Sequence, residues 1–84
     1  MSPTGILQEL VAFVKRKMPG SDVSGATDLK KDVPFDSLDR MELLAMIERR
    51  YGVSVPPERY IDDSLQILER LAAYVEEEQA VRKP

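Results

Sequence analysis

The stretch "DSLDRMELLAMIERRYGVSVPPE", residues 36–58, carries the strongest structural signal in the chain. Asp36 and Asp39 stand at the spacing of a helix start, with an acceptor at the cap and a second polar group three residues on. Gly52 comes after Tyr51 in the position favoured just past a helix end. The stretch therefore predicts a helix over 37–51. This helix has too many apolar residues for one buried face. At about 100° per residue, Leu43, Leu44, Ile47 and Tyr51 share an arc that must face the core, with Met41 at its edge. Leu38, Glu42, Ala45 and Arg49 form a second stripe pointing elsewhere, with Met46 beside it. That stripe begins next to Ser37, and exposed Leu and Met among charges suggest a partner surface. The alternative is a helix buried on two sides.

Downstream, Pro56 and Pro57 exclude a long helix and leave room for at most one turn around Glu58 to Ile61. A last helix is expected from about Ser64 to Glu78, with Leu65, Leu68, Leu71, Ala72 and Val75 inward. Residues 79–84 are expected to fray. Upstream, a helix is expected from Ser2 to Met18, with Ser2 as cap and Pro3 in the first helical position. Its apolar stripe reads Leu7, Leu10, Val11, Val14 and Met18, and Pro19-Gly20 ends it. Residues 21–35 are polar and turn-rich, with Leu29 and Val33 as the anchors to a core. So long a connection is usually functional or disordered. No strand pattern of useful length occurs. The expected fold is all-α: one domain over 1–84, a small four-helix bundle with three long helices and a short third.

The 84 residues hold one core at most, and acidic and basic groups alternate along the chain with a formal charge of −3. A nucleic-acid binder would need a concentrated basic footprint. The densest basic run, Lys15-Arg16-Lys17, falls at a helix C-terminus, where the macrodipole favours cations, and reads as a solvated helix end. Cysteine and histidine are both absent. That removes the usual zinc ligands and any Ser/His/Asp or Cys/His catalytic set, so an enzyme is the least favoured class. With no signal-peptide run and no membrane-length segment, a cytoplasmic monomer without membrane contact is the expectation.

The tripeptide Asp-Ser-Leu occurs twice, at 36–38 and 63–65. Both copies have cap chemistry, Asp36 with Asp39 and Asp63 with Gln66, so either serine can be a plain helix start. Their downstream residues separate them: only Ser37 leads into a helix with a second stripe. The run from Asp36 resembles the phosphopantetheine-attachment region of acyl carrier proteins. The carriers of the resemblance are Asp36-Ser37-Leu38, Glu42-Leu43, Tyr51 near the helix end, and Val55-Pro56 before a short helix. The long first helix, long loop and final helix extend the likeness over nearly the whole chain.

The resemblance implies a non-catalytic carrier that holds acyl intermediates as thioesters on a 4'-phosphopantetheine arm on Ser37, attached by a phosphopantetheinyl transferase. It further implies an acyl-loading enzyme (acyltransferase or ligase) and a ketosynthase or tailoring enzymes as partners, in polyketide, other specialised or fatty-acid biosynthesis. Asp36, Leu38, Glu42, Ala45 and Arg49 would be the partner-recognition residues, and Met41, Leu44 and Ile61 candidates for lining a cargo space. Alternatives are a free-standing aminoacyl or D-alanyl carrier and an unmodified helical adaptor of the same fold. Two departures stand out. Pro34 replaces the family's usual glycine and stiffens the approach to Ser37. Arg40, Arg49 and Arg50 dilute the acidic second helix of fatty-acid carriers, which points to other partners.

Overall fold

The computed structural model describes residues 3–56 and 63–82. Three α-helices are present among them: α1 (Pro3–Lys17), α2 (Ser37–Tyr51) and α3 (Leu68–Arg82), with a short 3₁₀ helix at Asp63–Gln66 before α3. The expected turn around Glu58 to Ile61, and with it the fourth helix of the bundle, lies outside the described residues, as does the expected cap Ser2. What stands is a small all-helical fold, with an isolated backbone bridge between Asp28 and Ile67 and no strand among the described residues.

One core serves the described residues. From α1 it takes Ile6, Leu10, Phe13 and Val14, from α2 Leu43, Met46, Ile47 and Tyr51, and from α3 Leu68, Leu71, Ala72 and Val75. The core face of α1 is rotated from the expected stripe. Ile6 and Phe13 replace Leu7 and Val11, which pack only at its margin together with Met18. Both sets have helical spacing, so periodicity alone could not choose between them. The inward set expected for α3 is correct, including Leu65 ahead of it.

The connection between α1 and α2 is a built element of the fold. Leu29 and Val33 are buried as expected, and Val23 and Phe35 join them. Its backbone also reaches α3. Leu68 N–H donates to the Thr27 carbonyl at 3.2 Å, Glu69 N–H to the Gly25 carbonyl at 2.9 Å, and Leu29 N–H to the Gln66 carbonyl at 2.8 Å. The first amides of a helix have no acceptor within the helix, and here loop carbonyls supply them. The close approach leaves little room at Gly25, where a Cβ would come within 3.1 Å of the Leu7 side chain. This arrangement corrects the expected start of the last helix. Asp63 and Ser64 belong to the 3₁₀ turn, and the α-helix begins at Leu68. Its other end is corrected too. Residues 79–82 are helical, and Gln79 Nε2 donates to the Tyr51 carbonyl at 3.3 Å.

Helices α1 and α2 run antiparallel along a seam fixed at both ends. Arg50 Nε meets Glu9 Oε2 at 2.6 Å, while Lys17 pairs with Glu42. The Glu42 carboxylate raises the Lys17 ammonium above its usual pKa, and Asp39 and Asp36 add to the effect from further away. Tyr51 closes α2 against the core. Burial pushes its phenol from the usual 10.0 up to about 12, with the Glu9 carboxylate assisting and Arg50 opposing.

Candidate functional site

The start of α2 is determined by its own residues. Asp36 takes an extended conformation, its Oδ1 accepts the Asp39 N–H at 2.8 Å, and Asp39 Oδ2 accepts the Asp36 N–H at 3.3 Å. This is the reciprocal capping box expected from the sequence. It leaves the amides of Ser37 and Leu38 among the first-turn donors that a helix cannot satisfy internally. Those donors flank the Ser37 side chain, and a negative charge is favoured there. At the other end, Gly52 adopts φ 70° and its N–H donates to the Glu48 carbonyl, so the helix stops at the expected glycine.

Ser37 stands on the surface as the first residue of this helix. Its position is held from behind. Val33 and Phe35 are both buried, and Phe35 N–H donates to the Val33 carbonyl at 2.8 Å across Pro34. The bulky residue before Asp36 is thus an anchor, and the proline sits in a tight bend between two core contacts. The consequence is an exposed hydroxyl on a short, doubly anchored approach.

Apolar surface surrounds that hydroxyl. Leu38 is 67% exposed and Met41 is 66% exposed. Met41, expected at the edge of the core arc and as a cargo-lining candidate, lies on the outside, one helical turn from Ser37. Leu44 is half-buried against the core, and Ile61 lies outside the described residues. Met46, placed beside the outer stripe by its spacing, is instead buried. The outer stripe itself exists. Asp36, Leu38, Glu42, Ala45 and Arg49 are all exposed, so α2 is not buried on two sides.

Glu42 is not a spare acid on that stripe, because Lys17 of α1 neutralises it. The basic run at the end of α1 is correspondingly more than a solvated helix end. Lys17 makes this pair, and the Arg16 guanidinium lies 5.8 Å from the centre of the Phe13 ring. Sequence reading missed Phe13 and Arg16 of α1 as neighbours of α2, whose Met46 and Arg49 share a cleft with them. The pairs Glu9/Arg50 and Lys17/Glu42 set early α1 against late α2 and late α1 against early α2. No single helix reveals that antiparallel register.

The chemical resources around Ser37 suit a phosphodiester-linked group: an accessible hydroxyl, open amides beside it, and apolar side chains along which an arm can lie. No described helix is long and apolar enough to cross a membrane, and the described residues hold no cluster suited to a metal ion.

Comparison with known proteins agrees with this chemistry. The phosphopantetheine attachment site family matches residues 6–75. The chain is 33% identical over 72 residues to acyl carrier protein 3, mitochondrial, of Arabidopsis thaliana, covering 83% of this chain and 53% of that protein. It is 32% identical over 71 residues to an acyl carrier protein of Streptomyces coelicolor, covering 84% of this chain and 75% of the relative. The chain thus spans about half the length of the Arabidopsis relative. No solved structure gives a significant match.

Proposed function

This chain belongs to the acyl carrier protein family, whose shared domain is a phosphopantetheine attachment site, and we propose that Ser37 is the residue that takes the 4'-phosphopantetheine arm. The observation that carries the assignment is the exposed Ser37 as first residue of a helix capped by Asp36 and Asp39. When attached, the arm supplies the thiol that the cysteine-free chain lacks, and holds acyl cargo as a thioester.

The chain's own residues prepare and present this site. Ser37 Oγ attacks the pyrophosphate of coenzyme A, its proton passing to a base on the phosphopantetheinyl transferase. The bond from Oγ to phosphorus forms as the bond from that phosphorus to the adenosine-bearing phosphate breaks. The open amides of Ser37 and Leu38 would favour the negative charge of a phosphodiester on Ser37. Asp36 keeps its carboxylate on the Asp39 amide and so holds the helix start rigid. Leu38 and Met41 offer apolar contact to the transferase, the acyl-loading enzyme and a ketosynthase or tailoring enzyme in turn. Ala45 leaves the middle of the stripe low, so that partners can approach the helix closely. Each contact must be released again, which suits a small interface.

The pathway we favour is polyketide or other specialised biosynthesis. Support comes from the charge on α2. Asp39 is engaged in the cap and Glu42 is paired with Lys17, so the exposed acids that a basic partner would grip are fewer than the sequence suggests.

The test is intact mass after incubation with a broad-specificity transferase and coenzyme A. One arm is expected on the wild type and on Ser64→Ala, and none on Ser37→Ala. An arm that survives Ser37→Ala would overturn the assignment.

A further inference from the structure

The seam between α1 and α2 opens into a cleft of about 310 Å³, floored by Phe13 and Met46 and rimmed by Glu9, Arg16, Arg49 and Arg50. We propose that this cleft docks an acidic segment of a partner enzyme. One apolar side chain of that segment rests on Phe13 and Met46, and its carboxylates meet Arg16 and Arg49. The proposal rests on the carrier reading and adds to it a second contact, away from Ser37, with a partner of stated charge.

Charge is the first argument. Three guanidinium groups face one carboxylate, and that carboxylate, Glu9, is committed to Arg50. Among the described residues no carboxylate pairs with Arg16 or Arg49. Guanidinium forks are suited to paired carboxylate oxygens, and the Arg16 guanidinium lies over the Phe13 ring, 5.8 Å from its centre. The remaining positive charge calls for an external anion.

The floor decides the kind of anion. Phosphate or a small dicarboxylate could use the arginines but would gain nothing from the apolar edges of Phe13 and Met46, 9% and 8% exposed, that the cleft reaches. A cleft of this size is at the small end for a complete ligand, and suits one or two protein side chains. Its place on the molecule supplies the third argument. Arg49 ends the stripe that begins beside Ser37, twelve residues earlier, which is about 18 Å along a helix at 1.5 Å per residue. A partner gripping the cleft would therefore have the Ser37 end of the same stripe within its footprint. Opposite charge at such a distance steers encounter and sets orientation.

The experiment is an amide chemical-shift titration of the isotope-labelled, arm-loaded chain. The probe is a synthetic peptide alternating glutamate with leucine and phenylalanine, run beside the same peptide with lysine for glutamate. Shifts are expected along the second half of α1 and the last turns of α2, weakening as salt rises. Arg16→Glu combined with Arg49→Glu should weaken binding by about tenfold or more, since like charges then meet, with circular dichroism checking the fold. Glu9→Gln releases Arg50 and should strengthen binding by about two- to fivefold, a gain that misfolding cannot produce. Equal binding of the lysine peptide, shifts confined to Leu38 and Met41, or no loss in the double variant would overturn the proposal. So would identical shifts from inorganic phosphate or glutarate at the same concentration, which would make the cleft a plain anion site. The mass of the loaded chain is read separately. Failure to load Ser37 defeats the carrier reading alone, and full loading without peptide shifts defeats the cleft alone.

Discussion

The two Asp-Ser-Leu segments lead into helices that begin in different ways. At 36–38 the helix starts on its own side chains, through the reciprocal bonds of Asp36 and Asp39. At 63–65 the same letters form a 3₁₀ turn, and the α-helix waits until Leu68, whose amide and that of Glu69 bond to carbonyls of the long connection. A self-capped helix start needs no cover, so its first turn can stay on the surface and carry a group. A helix start capped by another segment has that segment lying across it. Identical tripeptides are thus divided by where their backbone donors find acceptors.

The largest effect should come from breaking the borrowed cap. Leu29 is fully buried beside the carbonyls that receive α3. Leu29→Ala should cost about 2–5 kcal/mol in urea or guanidinium unfolding. The start of α3 should then lose amide-exchange protection before the start of α2 does. Simultaneous loss at both starts would mean that the two caps are not independent.

The far end of α2 sharpens the contrast, because its stop is local at Gly52 while its Tyr51 phenol is held by tertiary burial. The Tyr51 pKa is raised in the folded state from 10.0 to about 12. The corresponding stability is complete below about pH 10 and is lost as pH rises through about 12, on the order of 2 kcal/mol in all. Lys17, also raised by Glu42, loses its contribution in the same alkaline direction. Unfolding free energy measured from neutral to strongly alkaline pH should fall there, and Tyr51→Phe should flatten that fall. An unchanged profile in the variant would place the alkaline loss elsewhere.

Asp36→Ala should cost about 1 kcal/mol, the usual value for removing a side-chain cap, visible as a lower denaturant midpoint. It should also slow arm transfer at Ser37 by loosening the first turn. The smallest effect is expected at the other tripeptide. Because loop carbonyls already serve Leu68 and Glu69, Asp63→Ala with Ser64→Ala should stay within about 0.5 kcal/mol. A loss equal to that at Asp36 would show that the second tripeptide caps its helix after all.

Much of the candidate site was legible because its determinants are neighbours in the chain. The cap at Asp36, the exposed Ser37 and Leu38, and the stop at Gly52 are all local, and each is set by residues within one turn. The burial of Leu29 and Val33 was readable as well, since two apolar residues in a polar run have few other uses. Met41 and Met46 were not assigned correctly. Both lie near the boundary between the core arc and the outer stripe, and which of them turns inward depends on what stands opposite. Phe13 of α1 lies opposite Met46 across the seam.

By itself the sequence determined the three long helices, the limits of α2, the inward face of α3 and the serine at a self-capped helix start. Each rests on interactions spanning at most a few residues, whose geometry is the same in any helix. Only the tertiary structure decided which face of α1 enters the core, that Glu42 is neutralised by Lys17, that α3 begins at Leu68, and that Phe13, Met46 and three arginines share a cleft. Those outcomes depend on the register of one helix against another and on where a long connection comes to rest. Register is set by the packing of all side chains at once, and spacing along one segment carries no record of it.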